Sequence, residues 1–310
     1  MSGLSGLLWA APVLAQTLRI CLPYALASCG GVLSERGGIV NIALEGILLV
    51  GAFCAVAVTL FTGSPYLGMA GAVLGGVLTA ALHAWVTIHG RADQIVSGLA
   101  INILAFGATR GGLRLLFHSA SNSPRIEAPA GLWGRGPTGA AGGLLDVLGD
   151  PLFLLAVVLI VAALGFLFRT GLGLALRTAG EHPQAAHAAG FSVARLRWIG
   201  VLASGALGGL GGACLAFAQH SFTDQMSAGR GYIALAAMIV GKWHPLGAAA
   251  ACLLFAAAET AQIRLQGGRA PTQLLQMLPF ALTILVLVLW VGRASAPAAV
   301  GKPYDPERAE

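Results

Sequence analysis

Two polar residues four positions apart stand at the edge of a long uncharged run and have side chains suited to binding chemistry. Asn41 and Glu45 follow the charged break at residues 34–38 and precede the run that begins at residue 46. Residues four apart share one face of a helix, so both are expected to point into one polar path. If these segments cross a membrane, an ionisable group at depth is a functional candidate. The alternative is structural, with Glu45 near an interface and paired with Arg36.

Three more side chains of related chemistry lie in or beside other apolar segments, namely Asn102, Phe222 and Tyr232. Amides read hydrogen-bond edges and aromatic rings stack, so this set suits a flat polar solute. Asn102 has the alternative role of a hydrogen bond that joins two helices. We predict that these three residues line one pathway together with Asn41 and Glu45.

Signatures of catalysis and of metal binding are missing from the sequence. No G-x-x-x-x-G-K-[ST] phosphate loop occurs, because Lys242 precedes Trp243 and Lys302 precedes Pro303. An HExxH motif and a nucleophile elbow are also missing. Small buried hydrophobes without CxxC spacing are expected at Cys21, Cys29, Cys54, Cys214 and Cys252. The sequence predicts no enzyme activity, no cofactor and no metal on this chain.

The elements that position these residues are long segments without charge. They are residues 46–90, 94–109, 151–168, 198–223 and 270–292. A hydrocarbon core of about 30 Å needs roughly 20 apolar helical residues to span it. The chain is 57% hydrophobic and 10% charged, with a net charge of +6. These values predict a membrane protein whose basic residues orient loops rather than bind nucleic acid.

The expected architecture is an all-α, polytopic transmembrane bundle of about eight to ten segments, some of them broken or short. One membrane domain is expected over 1–293, followed by a polar tail over 294–310. Pro23 and nearby paired glycines interrupt the first segment. The segments are expected at 4–16 (interfacial or partly inserted), 18–33, 39–60, 66–88, 95–117, 151–169, 197–217, 229–242, 246–262 and 272–292.

Two loops orient the bundle. The loop over 169–197 carries four arginines against one acid, Glu181, so the positive-inside rule places it in the cytoplasm. One pass separates it from the Pro- and Gly-rich loop 118–150, which is then external. The basic residues of the tail favour a cytoplasmic C-terminus.

The cytoplasmic loop contains a short-helix pattern. Pro183 suits a first turn, alanines continue the helix, and Gly190 ends it. A helix this short is marginal in water, which makes sense if a partner's groove receives it. The alternative is a solvated connector.

Two segments open alike, at Gly38–Leu44 and at Gly231–Ala236, each after a Gly/Arg charged break. Paired interrupted segments are typical of duplicated transporter halves and point to the pathway, while duplication itself stays open. The glycines between Gly205 and Gly212 have small-xxx-small spacing, which predicts close helix packing.

The stretch Arg177–Gly190 resembles the coupling loop of permease subunits of ATP-binding-cassette (ABC) importers. The stretches Leu33–Gly46, Ala228–Ala237 and Gly241–Gly247 are similar to the simple-sugar and nucleoside branch of those permeases. These motifs lie in order over about residues 30–265, most of the chain. His244 stands where the branch more usually has Asn, and 118–150 matches no motif.

This resemblance implies one subunit of a bacterial inner-membrane importer that moves a nucleoside or nucleobase-like solute by alternating access. The implied partners are ATPase subunits that use ATP and Mg²⁺, a second permease subunit of a different sequence, and an external solute-binding lipoprotein. The coupling loop spans 170–196. The residues expected to contact the ATPase are Glu181, His182, Pro183, Ala185, Ala186, Ala189 and Gly190.

Two other functions stay open. A simple sugar such as ribose or galactose also suits a pathway with few buried charges. An ion-coupled secondary transporter would use Glu45 and Glu259 as a relay, but few buried charges and the docking-helix pattern disfavour it.

Overall fold

The computed structural model describes residues 2–131, 140–266, 272–290 and 296–304, and its long elements are all helices. A π-helical turn, Trp85–His89, extends α3. The helices are α1 (Ser2–Arg36), α2 (Leu44–Thr62), α3 (Pro65–Ala84), α4 (Gln94–Phe117), α5 (Ala140–Leu148), α6 (Pro151–Arg169), α7 (Gly171–Glu181), α8 (Pro183–Ala188), α9 (Val193–Gln219), α10 (Arg230–Val240), α11 (Pro245–Leu265), α12 (Thr272–Gln276) and α13 (Leu278–Trp290).

Within the described residues, seven helices are long and apolar enough to cross a membrane. They are Ala10–Arg36 of α1, α2, α3 with its π turn, α4, α6, α9 and α11. The apolar helix α10 is shorter, at 11 residues, and α13 has 13. The predicted fold class, an all-α polytopic membrane bundle with some short segments, is confirmed.

The N-terminal helix differs from the prediction. The sequence predicts an interfacial or partly inserted helix over 4–16, followed by a separate segment over 18–33 that Pro23 interrupts. Instead α1 runs unbroken through Pro12 and Pro23. Its Pro23 carbonyl lies so close to α9 that a Cβ on Gly211 would stand 3.1 Å from it. Packing against a neighbouring helix therefore keeps the chain helical across the proline.

The centre of the bundle is α9, which packs against α1, α2 and α3. Its glycines let backbones touch, as their spacing predicts. A Cβ on Gly209 would lie 2.2 Å from the Ala72 carbonyl of α3, and one on Gly212 would lie 2.2 Å from the Leu48 carbonyl of α2. These positions admit only glycine, so they fix how deeply α9 sits among its neighbours.

The two ends of the bundle are built differently. The end that carries α7 and α8, called the α8 end, also holds Arg36, Gly38 and Arg197. At the opposite end, residues 121–126 run beside residues 220–224, with Ser123 N donating to Phe222 O at 2.9 Å. The predicted irregular loop 118–150 also contains the helix α5, and its residues 132–139 lie outside the described residues.

Two non-helical segments enter the bundle from these opposite ends. Residues 37–43 lead inward from the α8 end to α2, and residues 220–229 lead inward from the other end to α10. A Cβ on Gly208, near the middle of α9, would meet Ile47 of α2 at 2.7 Å. Because Glu45 contacts Gly229, both helices begin about midway through the bundle. We call this meeting of residues 41–46 with residues 228–232 the junction.

Candidate functional site

Glu45 holds the two helices of the junction together. Its carboxylate accepts hydrogen bonds from Gly229 N at 2.8 Å and from Gly231 N at 2.7 Å. The first amides of a helix have no partner within the helix, and they carry partial positive charge that a carboxylate stabilises. Gly231 must be a glycine, since a Cβ there would lie 2.4 Å from Glu45 N. Glu45 therefore caps α10 inside the bundle, where it is 1% exposed.

These contacts correct two alternatives for Glu45. Pairing with Arg36 is wrong, because Arg36 Nη1 lies 3.7 Å from Glu181 Oε1 and Arg36 Nε donates to Trp243 O at 2.9 Å. The relay of Glu45 and Glu259 also loses its physical basis, since both carboxylates are engaged by fixed donors. The predicted shared helix face of Asn41 and Glu45 is wrong as well. Asn41 precedes α2 in non-helical backbone.

Asn102 joins three elements at the junction. Its Oδ1 accepts from Gly46 N at 2.8 Å, and its Nδ2 donates to Ile42 O at 3.0 Å and to the Tyr232 hydroxyl at 3.1 Å. The side chain of Asn102 is buried, whereas Tyr232 is 43% exposed. Asn102 thus acts as the predicted hydrogen bond between helices, and it also orients a tyrosine whose ring faces outward.

The non-helical segment before α2 is supported by polar residues that sequence reasoning missed. Val40 donates its N–H to Gln94 Oε1 at 2.7 Å and accepts from His83 Nε2 at 2.9 Å. Asn41 Nδ2 donates to Ser204 Oγ at 2.8 Å, while Asn41 Oδ1 has no partner within the described part of the chain. Non-helical backbone at membrane depth needs such partners. In the sequence, the feature that could have predicted this support is His83, a single histidine within a long apolar run.

Phe222 lies apart from the other four predicted pathway residues. It is fully buried, its ring packs edge-on against Phe53 at 5.4 Å, and its backbone pairs with Ser123. The structure therefore brings Asn41, Glu45, Asn102 and Tyr232 to the junction and places Phe222 in the segment that leads down to it.

An exposed edge runs along that segment into α10. Gln225, Ala228 and Tyr232 are exposed, whereas Met226, Ser227 and Gly231 are buried. Gln225 has φ +56° and Ala228 has φ +46°, values that non-glycine residues adopt rarely. Backbone held in such strained conformations concentrates at ligand-binding sites. Gln225, which the sequence did not single out, adds an exposed amide to this edge.

A largely buried ion pair fixes the first turn of α10. Arg230 Nη2 lies 2.9 Å from Glu259 Oε1 of α11, and the Tyr24 hydroxyl of α1 donates to the other carboxylate oxygen. The partners of Glu259 thus lie on two other helices, and its carboxylate ties α10 to both α1 and α11.

The predicted short helix is present as α8, Pro183–Ala188, at the end of the bundle. Gly190 has φ +84°, the left-handed conformation that ends a helix and favours glycine. Most of the residues expected to contact the ATPase are exposed or half-exposed. Ala186 is the exception, because it is 1% exposed and belongs to the hydrophobic core. Ala186 thus anchors α8 to the bundle while its neighbours face outward.

A contact chain leads from α8 toward α10. Gly180, at the end of α7, packs on the end of α1 so closely that a Cβ there would lie 2.2 Å from Arg36 O. The Arg36 side chain reaches both Glu181 and the carbonyl of Trp243, just beyond α10. One arginine therefore bridges the segment before α8 and the end of α10 opposite the junction.

The chain near its C-terminus returns to the same place. Ala299 N donates to Gly180 O at 2.9 Å, and Ala298 N donates to Glu181 Oε2 at 3.1 Å. The ring of Tyr304 lies 6.3 Å from the ring of His187 on α8. Residues 296–304 of the expected polar tail are therefore packed against the α7–α8 unit.

Two helices of this membrane bundle begin about midway through it, and a short helix lies at one of its ends. These two features are typical of a transport subunit. Residues 13–287 match the family described as branched-chain amino acid transport system / permease component. The chain belongs to this family of transporter permeases.

Relatives of this chain whose names state a function are also transporter permeases. The chain is 40% identical to the guanosine ABC transporter permease protein NupQ of Bacillus subtilis, over 94% of this chain and 96% of that protein. It is 39% identical to the nucleoside ABC transporter permease protein NupC of Lactococcus lactis, over the same shares. NupB, a second nucleoside ABC transporter permease protein of that bacterium, is 26% identical over 48% of this chain and 41% of NupB.

A solved structure shares the fold. It is an inward-facing conformation of a putative metal-chelate type ABC transporter, with a TM-score of 0.52 at 15% identity. The match covers 92% of this chain and 97% of that one. This chain is therefore an ABC transporter permease subunit and not an enzyme, and ATP hydrolysis belongs to a separate subunit.

Proposed function

We propose that this permease subunit imports a nucleoside or nucleobase-like solute by alternating access, driven by partner ATPases that use ATP and Mg²⁺. The observation that carries the choice of solute is the near-full-length identity of 40% with a guanosine permease. The proposed pathway runs along the junction, with the predicted residues Asn41, Glu45, Asn102, Phe222 and Tyr232 building it.

The chemistry of the junction supports an uncharged flat solute. The exposed Tyr232 ring offers a stacking face and the exposed Gln225 offers an amide. The ionised groups beside them are already engaged, Glu45 by backbone amides and Arg230 by Glu259. A charged solute would find no free counter-charge among these groups, whereas a base or nucleoside needs none.

We place the α8 end in the cytoplasm. The described arginines of 169–197 stand at this end against Glu181, which satisfies the positive-inside rule. The packing of residues 296–304 on α7 puts the C-terminal region on the same side. Loop 118–150 then faces outward, where we propose that an external solute-binding lipoprotein docks. The membrane is the bacterial inner membrane.

In this mechanism the exposed side of α8 enters a groove of the ATPase. A displacement of α8 reaches Arg36 through the tight Gly180 contact and reaches the end of α10 through Trp243. Closure of the ATPases must favour one conformation of the permease over the other, or it moves nothing. The α7–α8 unit meets this requirement, because it contacts the end of α10 through Arg36 and α10 begins at the junction.

A second permease subunit of a different sequence completes the pathway. The occurrence of two nucleoside permease proteins in Lactococcus lactis, one much more similar to this chain than the other, supports a pair of unlike subunits.

The solute is tested by uptake of radiolabelled guanosine and ribose in cells with and without this gene. We expect guanosine uptake to disappear with the gene and to return with the wild-type copy, while ribose uptake stays unchanged. Loss of ribose uptake with unchanged guanosine uptake would contradict the nucleoside assignment.

A further inference from the structure

Two cavities flank α8, one of about 470 Å³ and one of about 790 Å³. Three residues line both of them: Arg91, Arg197 and Tyr304. His187 lines the first cavity and Lys302 the second. The lining is therefore basic on both sides of the helix that we propose to dock the ATPase.

Arg197 is the unusual member of this lining. It is 2% exposed, yet its Nε and Nη2 atoms have no hydrogen-bond partner among the described residues. The buried hydroxyl of Tyr304 has no partner in that part of the chain either. A guanidinium taken out of water without a counter-charge is strongly unfavourable. Such an arrangement is explained when the counter-charge arrives with another molecule.

The acids of the described chain do not supply that counter-charge. Glu181 is the carboxylate that lines these cavities in the part of the chain described. It is held by Arg36 at 3.7 Å and by Ala298 N at 3.1 Å. The side chains that line the two cavities are thus more basic than acidic, which favours an oxyanion over a cation as the group that enters them.

The position of the cavities selects the source of the oxyanion. Residues 296–304 are tied to the end of α7 and hold Tyr304 against His187 of α8. Residues of α8 line both cavities, His187 the first and Pro183 and Gln184 the second, so both cavities adjoin the exposed side of α8. A body that covers α8 also covers both cavities.

We propose that an acidic side chain of the partner ATPase enters beside α8 and pairs with Arg197, with Tyr304 as a second donor. A carboxylate matches the planar guanidinium fork and accepts a hydroxyl hydrogen bond equally well. This proposal rests on the proposed function, since it specifies what the ATPase must carry at the docking surface.

The test is binding of the purified cognate ATPase to the permease in nanodiscs of neutral phospholipid. Arg197→Met should weaken binding at least about tenfold and reduce its salt dependence, because a desolvated charge pair is lost. The melting temperature of the permease alone should rise, since methionine replaces an unpaired buried charge. A purely structural arginine would give the opposite shift in melting temperature. Tyr304→Phe should weaken binding to a smaller extent.

The matched control is Arg195→Met, which removes an exposed arginine two residues earlier on α9. It should bind the ATPase like wild type. Equal binding by the Arg197 and Arg195 variants, while Ala185→Glu on α8 abolishes binding, would overturn this proposal and leave the docking role of α8 intact. Unchanged binding in all three variants would overturn the docking role itself.

Two further arms identify other sources of the anion. A chain that ends at Tyr304 lacks the acids Asp305, Glu307 and Glu310. We expect this shortened chain to bind the ATPase like wild type and to lose the same affinity when Arg197→Met is added. If Arg197→Met causes no loss of affinity in the shortened chain, the anion belongs to the tail and the proposal is refuted.

Nanodiscs with phosphatidylglycerol should not raise the wild-type melting temperature through Arg197. A rise that Arg197→Met abolishes, without any change in ATPase binding, would assign the site to a lipid headgroup and refute the proposal.

Discussion

At the junction, the Glu45 carboxylate accepts two backbone hydrogen bonds and Arg230 faces Glu259. At the α8 end, by contrast, two buried donor atoms of Arg197 have no partner among the residues that the structure describes. Both regions are polar and enclosed. They differ in whether their ionised groups are satisfied within this chain. The junction is electrostatically complete and holds α10 in place. At the α8 end the charge of Arg197 is not matched by an acid of the described chain, as expected of a surface that contacts another subunit.

Breaking a charge pair at the junction should have the largest effect. Arg230→Met leaves Glu259, whose side chain is only 15% exposed, without its cation, and we expect the free energy of unfolding to fall by about 3–5 kcal/mol. The double variant Arg230→Met with Glu259→Leu should recover much of that loss. Arg110→Met, at the exposed pair with Asp224, is the control and should cost less than about 1 kcal/mol. Thermal melting measures the stability of these three variants. An equal loss of stability in the Arg230 and Arg110 single variants would show that the Arg230–Glu259 pair stabilises the protein no more than an exposed pair does.

Removing the cap of α10 should have a somewhat smaller effect on stability and a large effect on uptake. Glu45→Ala leaves the Gly229 and Gly231 amides without an acceptor, at a cost of about 2–3 kcal/mol. Glu45→Gln keeps one acceptor oxygen and should lie between alanine and wild type. Melting should be normal for Glu127→Ala, an exposed glutamate at the opposite end. Wild-type uptake by Glu45→Ala would show that transport does not need the capped helix.

Changing the exposed ring at the junction should alter affinity without unfolding the protein. Tyr232→Leu removes a stacking face worth about 1 kcal/mol, so the uptake KM should rise by several-fold to about tenfold. Tyr232→Phe keeps the ring, loses only the hydrogen bond from Asn102, and should stay closer to wild type. Tyr66→Leu removes an exposed tyrosine at the start of α3 and serves as the control. Equal KM values for Tyr232→Leu and wild type would exclude the ring from the pathway.

The helices and the short helix α8 were predictable because apolar length and turn residues act locally. Pro183 and Gly190 mark α8 in the sequence as clearly as in the structure. The unbroken α1 was not predictable, because its continuity through Pro23 depends on contact with α9. The same holds for Glu45, whose partners lie more than 180 residues away along the chain. Residue type indicated that Glu45 matters, but only the fold shows that it caps α10.

The central claim is that α8 docks the ATPase, and a single cysteine on its exposed side tests this directly. The five native cysteines are first replaced, and Ala185→Cys is then introduced into the complex with its cognate ATPase. We predict a cross-link between residue 185 and the ATPase, with none from a cysteine at the buried Ala186 or at Ser121 on the opposite end. A cross-link from Ser121, or none from residue 185 in an assembled and active complex, would contradict the account.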